Sequence, residues 1–515
     1  MAAWFDGRIG FGTAGLRAPM GPGPKQMNRL VVRQATAGVM AWLGEGARVV
    51  IGYDARHHSD RFADDVADVV TAAGGRAERF DRPVPTPVLA HTVLHRHAAA
   101  GIMITASHNP AADNGYKLYL ADGIQLAEPA DRAIAAAIDR VADTAPAGPG
   151  APPPTLGPAE IAAHRDAAVA ACLTGDRDVR CVVTPMHGVG GPYLLDAMAA
   201  AGFPAPAVVT AQAEPDPDFP TVAFPNPEEP GALDLAIGLA AETGADVVLA
   251  NDPDADRLAV AIPGREGGWV PLTGDQVGVL LAEHVINHRV DRTRPALVAS
   301  SLVSSRLITA VAAGYGVASV RTLTGFKWVA RPIVDQSDMA YLLGYEEALG
   351  YCVGDRVRDK DGISAALVVA EMVARTRAEG RTLWDRLDEV TARHGAYRTR
   401  PVVLRFAGPG GTARRAGLMA AAVERPPDRL AGRIVTNLID LSADEGLLPP
   451  TTGVVWELED GSRVVVRPSG TEPKLKAYLE TVDPVDGGGV AAADRRANAS
   501  MSALVTAVTA WFEGR

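Results

Sequence analysis

The hexapeptide Thr105-Ala106-Ser107-His108-Asn109-Pro110 closes an apolar run that begins at Ala98, and its reading decides the fold. Residues 98–105 predict a buried strand, while Asn109-Pro110 and Asn114-Gly115 are turn signals that deliver Ser107 to a loop. A serine hydroxyl is a poor nucleophile at neutral pH, so it needs a positioned base or a charge-stabilised reactive partner. Alone, Ser-His-Asn-Pro reads as a polar turn and Lys117, ten residues on, as a solvated lysine.

Two later stretches change that reading. Asp252-Pro253-Asp254-Ala255-Asp256-Arg257 follows the apolar segment 246–250 directly, and three aspartates alternating along extended backbone project onto one face. Converging carboxylates repel one another and invite a hard divalent cation. An EF-hand is excluded, because its sixth position would be Arg257 rather than glycine and its twelfth Pro263 rather than glutamate. Farther on, Arg467-Pro468-Ser469-Gly470-Thr471-Glu472-Pro473-Lys474 lies where a strand gives way to a glycine-containing turn. Hydroxyls, backbone N–H groups and an arginine fork in one turn suit a phosphate.

In this order the three stretches resemble the phosphoserine, metal and substrate-phosphate loops of the α-D-phosphohexomutase superfamily. Asn114-Gly115-Tyr116-Lys117 is similar to a further family segment, and Gly344-Tyr345-Glu346-Glu347-Ala348-Leu349-Gly350 resembles its sugar-recognition loop. Tyr345 and Ala348 depart from the commoner Gly-Glu-Glu-Ser form, and Ala348 removes a hydroxyl contact. Glu346-Glu347-Ala348, with Gly325-Phe326-Lys327-Trp328 and Phe11-Gly12-Thr13-Ala14-Gly15-Leu16-Arg17, resembles the branch holding phosphoglucomutase, phosphopentomutase and glucose-1,6-bisphosphate synthase activities. Further matches are Gly52-Tyr53-Asp54-Ala55-Arg56 and Met186-His187-Gly188-Val189-Gly190-Gly191, whose glycines suit tight connections.

The resemblance implies an isomerase that interconverts hexose 1-phosphate and hexose 6-phosphate through phospho-Ser107 and a sugar bisphosphate. Phosphomannomutase is the alternative, then phosphopentomutase or glucose-1,6-bisphosphate synthase. It implies Mg²⁺ held by Asp252, Asp254, Asp256 and phosphorylated Ser107, with sugar 1,6-bisphosphate as activator and intermediate. Ser107, His108, Lys117, Arg257 and Lys360 are the catalytic candidates. Arg17, Lys327, Glu346, Glu347, Arg467, Ser469, Gly470, Thr471 and Lys474 are the substrate-binding ones. Carboxylates suit sugar hydroxyls because each accepts hydrogen bonds, and Arg257 suits phosphate because its fork is fixed and always charged.

A chain of 515 residues exceeds one hydrophobic core. Strands at 48–52, 98–105, 179–184, 246–250 and 339–343 alternate with helices at 60–73, 160–172, 233–242, 305–313 and after Gly362, which predicts α/β domains. The tail predicts strands at 402–406, 433–437, 453–457, 463–467 and 476–479, with helices at 412–423 and 491–512. The expected architecture is therefore three similar mixed α/β domains and a C-terminal α+β domain with a mainly antiparallel sheet. Its expected limits are 1–178 for the phosphoserine loop, 179–293 for the metal, 294–400 for the sugar and 401–515 for the distal phosphate.

Lys and Arg total 50 against 61 Asp and Glu, a net charge of −11, which argues against nucleic-acid binding while leaving room for a small sugar phosphate held by a few local cations. No stretch supplies the roughly 20 apolar residues of a membrane span. The first residues lack a secretory signal pattern, so the cytoplasm is the expected compartment, with a monomer or homodimer as the expected state. Cys172, Cys181 and Cys352 form neither a disulfide framework nor a metal cluster.

Overall fold

The computed structural model describes residues 7–10, 15–141, 152–289, 292–406, 410–443, 448–469 and 474–514. The chain forms two compact units, one of Met1–Ala299 with Gly325–Leu383, the other of Ser300–Thr324 with Trp384–Arg515.

In the first unit, a six-stranded sheet runs in the order Leu16–Pro19, Asp113–Leu120, Ala100–Ile104, Arg48–Tyr53, Arg76–Phe80, Thr155–Leu156. Its neighbouring strands Ala100–Ile104 and Arg48–Tyr53 are parallel and buried on both sides, which is why they read as apolar runs. Val49, Ile51, Ile102 and Ile104 enter one core cluster, and Val50 and Met103 the other. A second sheet runs Trp269–Pro271, Leu258–Pro263, Val247–Asn251, Cys181–Thr184, Ala207–Val208, again parallel inside with an antiparallel edge. The strands Ala340–Glu346 and Gly350–Val353 form a third antiparallel edge.

These edges place the candidate site residues. Each joins an inner strand to its antiparallel return through a short loop, and each loop contains a non-glycine residue in the left-handed region: Ser107 at φ 52°, Ala255 at φ 54° and Leu349 at φ 62°. Such residues cost on the order of 1–3 kcal/mol and persist only where surrounding contacts hold them.

The helix Gly362–Ala378 is buried on nearly every face. Asp361 caps it, accepting from the Ile363 and Ser364 amides, and the His164 ring lies against its other oxygen at 3.1 Å. Glu371 brings a charge into that interior and is satisfied by the Leu173 and Thr174 amides, Arg177 and His284. A buried carboxylate requires such partners.

The second unit carries a six-stranded sheet ordered Ala396–Arg405, Lys474–Asp483, Arg463–Pro468, Val454–Leu458, Arg433–Asp440, Arg429–Leu430, antiparallel throughout. Helix Gly489–Glu513 sends Met501, Leu504, Val508 and Phe512 into its core. Trp456 is fully buried there, its indole N–H satisfied by the Ala422 carbonyl at 3.0 Å. Glu480 holds Ser305, Arg306 and Arg463, which draws the 300–324 segment into this unit.

Two local expectations are corrected. Asn114-Gly115 is not a turn but lies within strand Asp113–Leu120, opposite Ala18 and Arg17. The Asn114 amide is absorbed by the His57 carbonyl and Ser59 Oγ, and a Cβ at residue 115 would lie 2.5 Å from the Thr105 carbonyl oxygen, so glycine marks a close approach of backbones. The aspartates are not aligned by extended alternation either. They lie in a tight turn closed by the Ala255 N–H donating to the Asp252 carbonyl at 2.8 Å.

Candidate active site

Strand Ala100–Ile104 ends at a loop in which the Ser107 N–H donates to Thr105 Oγ1 at 2.8 Å. Ser107 Oγ donates to Asp252 Oδ2 at 2.9 Å and lies 3.1 Å from His108 Nδ1. The first two sequence-predicted loops, 145 residues apart, thus meet at one hydrogen bond.

The metal loop is held from several sides. Ligand atoms of Asp252, Asp254 and Asp256 lie within 4.8 Å of one another, and all three residues are buried. Burial and the charges of Asp254 and Asp256 push the Asp252 carboxyl well above the ordinary range. Burial also disfavours the charged forms of Asp254 and Asp256, yet both carboxyls lie below the usual range. Lys117 and Thr86 stabilise the first, and Lys117, Lys360 and Arg257 the second. Lys117 Nζ donates to Asp254 Oδ2 at 2.6 Å and to Asp256 Oδ2 at 2.8 Å. Lys360 Nζ lies 3.1 Å from Asp256 Oδ2 and 3.3 Å from Asp359 Oδ1, and Tyr119 donates to Asp359 Oδ2. Burial opposes the charge of Lys360, but Asp256 and Asp359 outweigh it and hold the ammonium protonated.

These residues fit a hard cation. Asp254 Oδ1 and Asp256 Oδ1 are buried without a hydrogen-bond partner among the described residues, and an all-carboxylate oxygen set suits Mg²⁺ or Ca²⁺ rather than a soft metal. Arg17 Nε and Arg257 Nε are likewise buried without a partner among the described residues, placing unused guanidinium N–H groups in the same unit for an anion. Arg257 NH1 meets Glu228 Oε2 at 3.2 Å, and burial pushes the His108 imidazolium down, favouring the neutral ring.

The 344–350 loop touches the aspartate loop through backbone. The Leu258 N–H donates to the Leu349 carbonyl at 3.0 Å, and Arg257 and Gly350 form a β-bridge. Glu346 Oε1 accepts from the Gly325 amide at 2.7 Å, so one of its oxygens orders the chain beside Phe326. Tyr345 does not face the loop's mouth: it is fully buried and donates to Asp275 Oδ1, with Gly278 giving it room. The Glu347 carbonyl lies against Gly274. Lys327 is buried on the short helix Phe326–Val329; burial lowers its pKa, and the carboxylates bearing on it are Asp131 and Glu128.

In the second unit Arg467, Ser469 and Lys474 flank the tip of the hairpin made by Arg463–Pro468 and Lys474–Asp483. Arg467 donates to Thr324 Oγ1, and the Ser469 N–H to the Lys474 carbonyl at 2.9 Å. Gly470 and Thr471, like Phe11–Ala14 of the N-terminal motif, lie outside the described residues.

Sequence reasoning did not single out Thr86 or Glu228, and it took the runs ending at Arg56 and Gly191 only as tight connections. Thr86 donates to Asp254 Oδ2 at 2.6 Å, and its N–H to the Asp254 carbonyl at 2.9 Å. It sits in Pro83-Val84-Pro85-Thr86-Pro87, which carries no chemical signal. Glu228 and Arg56 act through contacts across 29 and at least 51 residues of sequence. The Gly188-Val189-Gly190 segment lies under the metal loop, with the Val189 N–H donating to the Pro253 carbonyl at 2.9 Å.

A buried serine bonded to one of three clustered carboxylates, with two ammonium groups on the other two, has the components of a phosphoryl-transfer enzyme. Comparison with known proteins gives the family. Successive segments match the phosphoglucomutase/phosphomannomutase α/β/α domains I (8–145), II (163–265) and III (273–394) and the C-terminal domain (419–494). A probable phosphomannomutase of Haemophilus influenzae is 42% identical over 482 residues, covering 90% of this chain and 96% of that protein. A probable phosphoribomutase of Schizosaccharomyces pombe is 37% identical over 92% of this chain and 86% of its own. A phosphoglucomutase of Staphylococcus haemolyticus is 32% identical over 92% and 90%. The chain belongs to the phosphoglucomutase/phosphomannomutase family, with that family's four-domain α/β architecture. Among the described residues, no helix is long and apolar enough to cross a membrane.

Proposed function

We propose that this protein is a phosphoglucomutase-type mutase that interconverts hexose 1-phosphate and hexose 6-phosphate, with Ser107 as the phosphoryl carrier. The observation that carries this reading is Ser107 Oγ at 2.9 Å from Asp252, within a triad whose orphaned oxygens and adjoining ammonium groups suit a phosphate–cation pair. In the first half-reaction the P–Oγ bond of phospho-Ser107 breaks and a new P–O bond forms to the free sugar hydroxyl, which loses its proton while the released Ser107 Oγ gains one. The product is a hexose bisphosphate. In the second half-reaction the other phosphoryl group passes to Ser107 Oγ, which loses its proton, and the vacated sugar oxygen gains one.

Lys117 and Lys360 place ammonium groups against the triad, and Arg17 and Arg257 offer fixed N–H donors to phosphate oxygens. His108, next to Ser107 Oγ, orders the loop or contacts phosphate. Glu346 and Glu347 accept hydrogen bonds from sugar hydroxyls, while Lys327, Arg467, Ser469, Gly470, Thr471 and Lys474 hold the phosphate-bearing substrate. Mg²⁺ held by Asp252, Asp254, Asp256 and the Ser107 phosphate would neutralise charge on the transferred group.

The second reading, phosphomannomutase, is favoured by the name of the Haemophilus influenzae relative, and a pentose phosphate by that of the Schizosaccharomyces pombe one. Turnover of glucose 1-phosphate, mannose 1-phosphate and ribose 1-phosphate with Mg²⁺ and catalytic sugar bisphosphate separates them. Ser107→Ala should lower turnover by at least about 10³-fold while retaining hexose phosphate binding. Unchanged turnover refutes the assignment.

A further inference from the structure

Behind the Ser107 loop lies a guanidinium that none of the chemistry above uses. The Asp54 carboxylate closes the turn after strand Arg48–Tyr53, accepting from the Arg56 N–H at 3.0 Å and from Ser59 Oγ at 2.6 Å. This sends the Arg56 side chain, 1% exposed, beneath the loop. There NH2 donates to the carbonyls of Ser107 at 2.6 Å and Asn109 at 2.5 Å. NH1 donates to those of Pro110 at 2.8 Å and Asp113 at 3.2 Å. The Phe219 ring lies against its face at 4.9 Å, and Asp54 Oδ2 is 3.5 Å from its Nε.

We infer that Arg56 is a positioning residue for phosphoryl transfer, a planar clamp that fixes the backbone of the Ser107 loop and thereby the direction of Oγ. The inference rests on Ser107 being the phosphoryl carrier. Four carbonyls drawn onto one rigid fork set the peptide planes on both sides of His108-Asn109. Ser107 itself stands at φ 52°, a conformation an L residue leaves unless held. Its amide is fixed by Thr105 and its carbonyl by Arg56, so both of its backbone polar groups are held and the side chain projects toward Asp252. A lysine cannot substitute for the fork, because a single tetrahedral nitrogen does not reach four carbonyls spread over seven residues.

The effect on rate is predicted to exceed the effect on binding. A displacement of about 1 Å at a reacting atom costs on the order of 10²-fold in rate. Among the described residues Arg56 forms no hydrogen bond with the 344–350 loop or with Asp252, Asp254 or Asp256, and of these carboxylates Asp254 bears on it through charge. Arg56→Lys is therefore expected to lower kcat about 100-fold. KM, and the Mg²⁺ affinity of the unphosphorylated enzyme measured calorimetrically, should stay within about threefold. A kcat within about threefold of the parent overturns the inference, as does a joint loss of kcat, KM, Mg²⁺ affinity and thermal stability, which marks a merely structural residue. If Arg56→Lys does not fold, Arg56→Ala prepared with methylguanidinium decides: turnover restored by the additive supports the clamp, and its absence overturns it. Ser107→Ala in the same assays separates the two claims. An active Ser107→Ala enzyme removes the carrier assignment, whereas an inactive one beside a fully active Arg56→Lys enzyme removes only the role of Arg56.

Discussion

Adding one methyl group at Gly188 tests whether the metal loop is held from below. A Cβ at that position would lie 2.3 Å from Pro253 Cα, 2.4 Å from its carbonyl oxygen and 2.7 Å from its carbonyl carbon. Carbon atoms rest about 3.5–4.0 Å apart, so the two backbones must separate by roughly 1 Å. The obstacle is main chain between two of the three aspartates, so no rotamer change relieves it. Overpacking of this kind costs about 1–3 kcal/mol. Gly188→Ala should lower the unfolding temperature, weaken Mg²⁺ binding about 10- to 100-fold in a calorimetric titration, and reduce kcat by a comparable factor. Gly238→Ala is the control: nothing lies within 4 Å of its Cβ, and its place inside helix Asp234–Thr243 predicts a gain of about 0.5–1 kcal/mol with Mg²⁺ affinity unchanged. A Gly188→Ala protein whose Mg²⁺ affinity and kcat match the parent would refute the idea that this glycine sets the height of the metal loop.

Two further outcomes are expected. Thr86→Val keeps the side-chain shape but deletes the 2.6 Å bond to Asp254, which should weaken Mg²⁺ binding by about 1 kcal/mol, or five- to tenfold, in the same titration. Burial lowers the His91 pKa from 6.5 to about 4, and the neighbouring His164 and His95 add to the shift. The unfolded chain therefore binds the proton first, so the contribution of this residue is fully present above pH 6.5 and is lost as the pH falls toward 4. Because the ring is only partly buried, about 1–2 kcal/mol is at stake, and His91→Asn should flatten the slope of urea stability between pH 6.5 and 4.

The alternation of helices and strands was legible because inner parallel strands, covered on both faces, must be apolar throughout; 48–52 and 246–250 announce themselves in this way. The candidate loops were legible too, as runs inside the segments that match the family. Ser107, the three aspartates and Arg467 lie in runs too specific to be ordinary turns, and charged or hydroxylic side chains declare what they can hold. The loops' conformation was not legible. Alternating aspartates suggest extended backbone, yet a left-handed Ala255 folds them into a turn, since the interior around Gly190 and the backbone at Gly362 leave that path open. Asn114-Gly115 has the letters of a turn and the place of a strand, because its polar groups find partners 55 and 57 residues away.

Arg56 and Thr86 show the same division. Arginine and threonine are ordinary surface residues in a sequence, and only burial makes their hydrogen bonds decisive. Local sequence determined the strands, the turn-forming runs and the kinds of ligand each run suits, because propensity and side-chain chemistry act within a few residues. Tertiary structure alone brought Ser107 to Asp252, set Lys117 and Lys360 against the carboxylates and placed Arg56 under the loop. Those interactions depend on burial and ångström-scale distances between segments that approach one another only when the sheets pack.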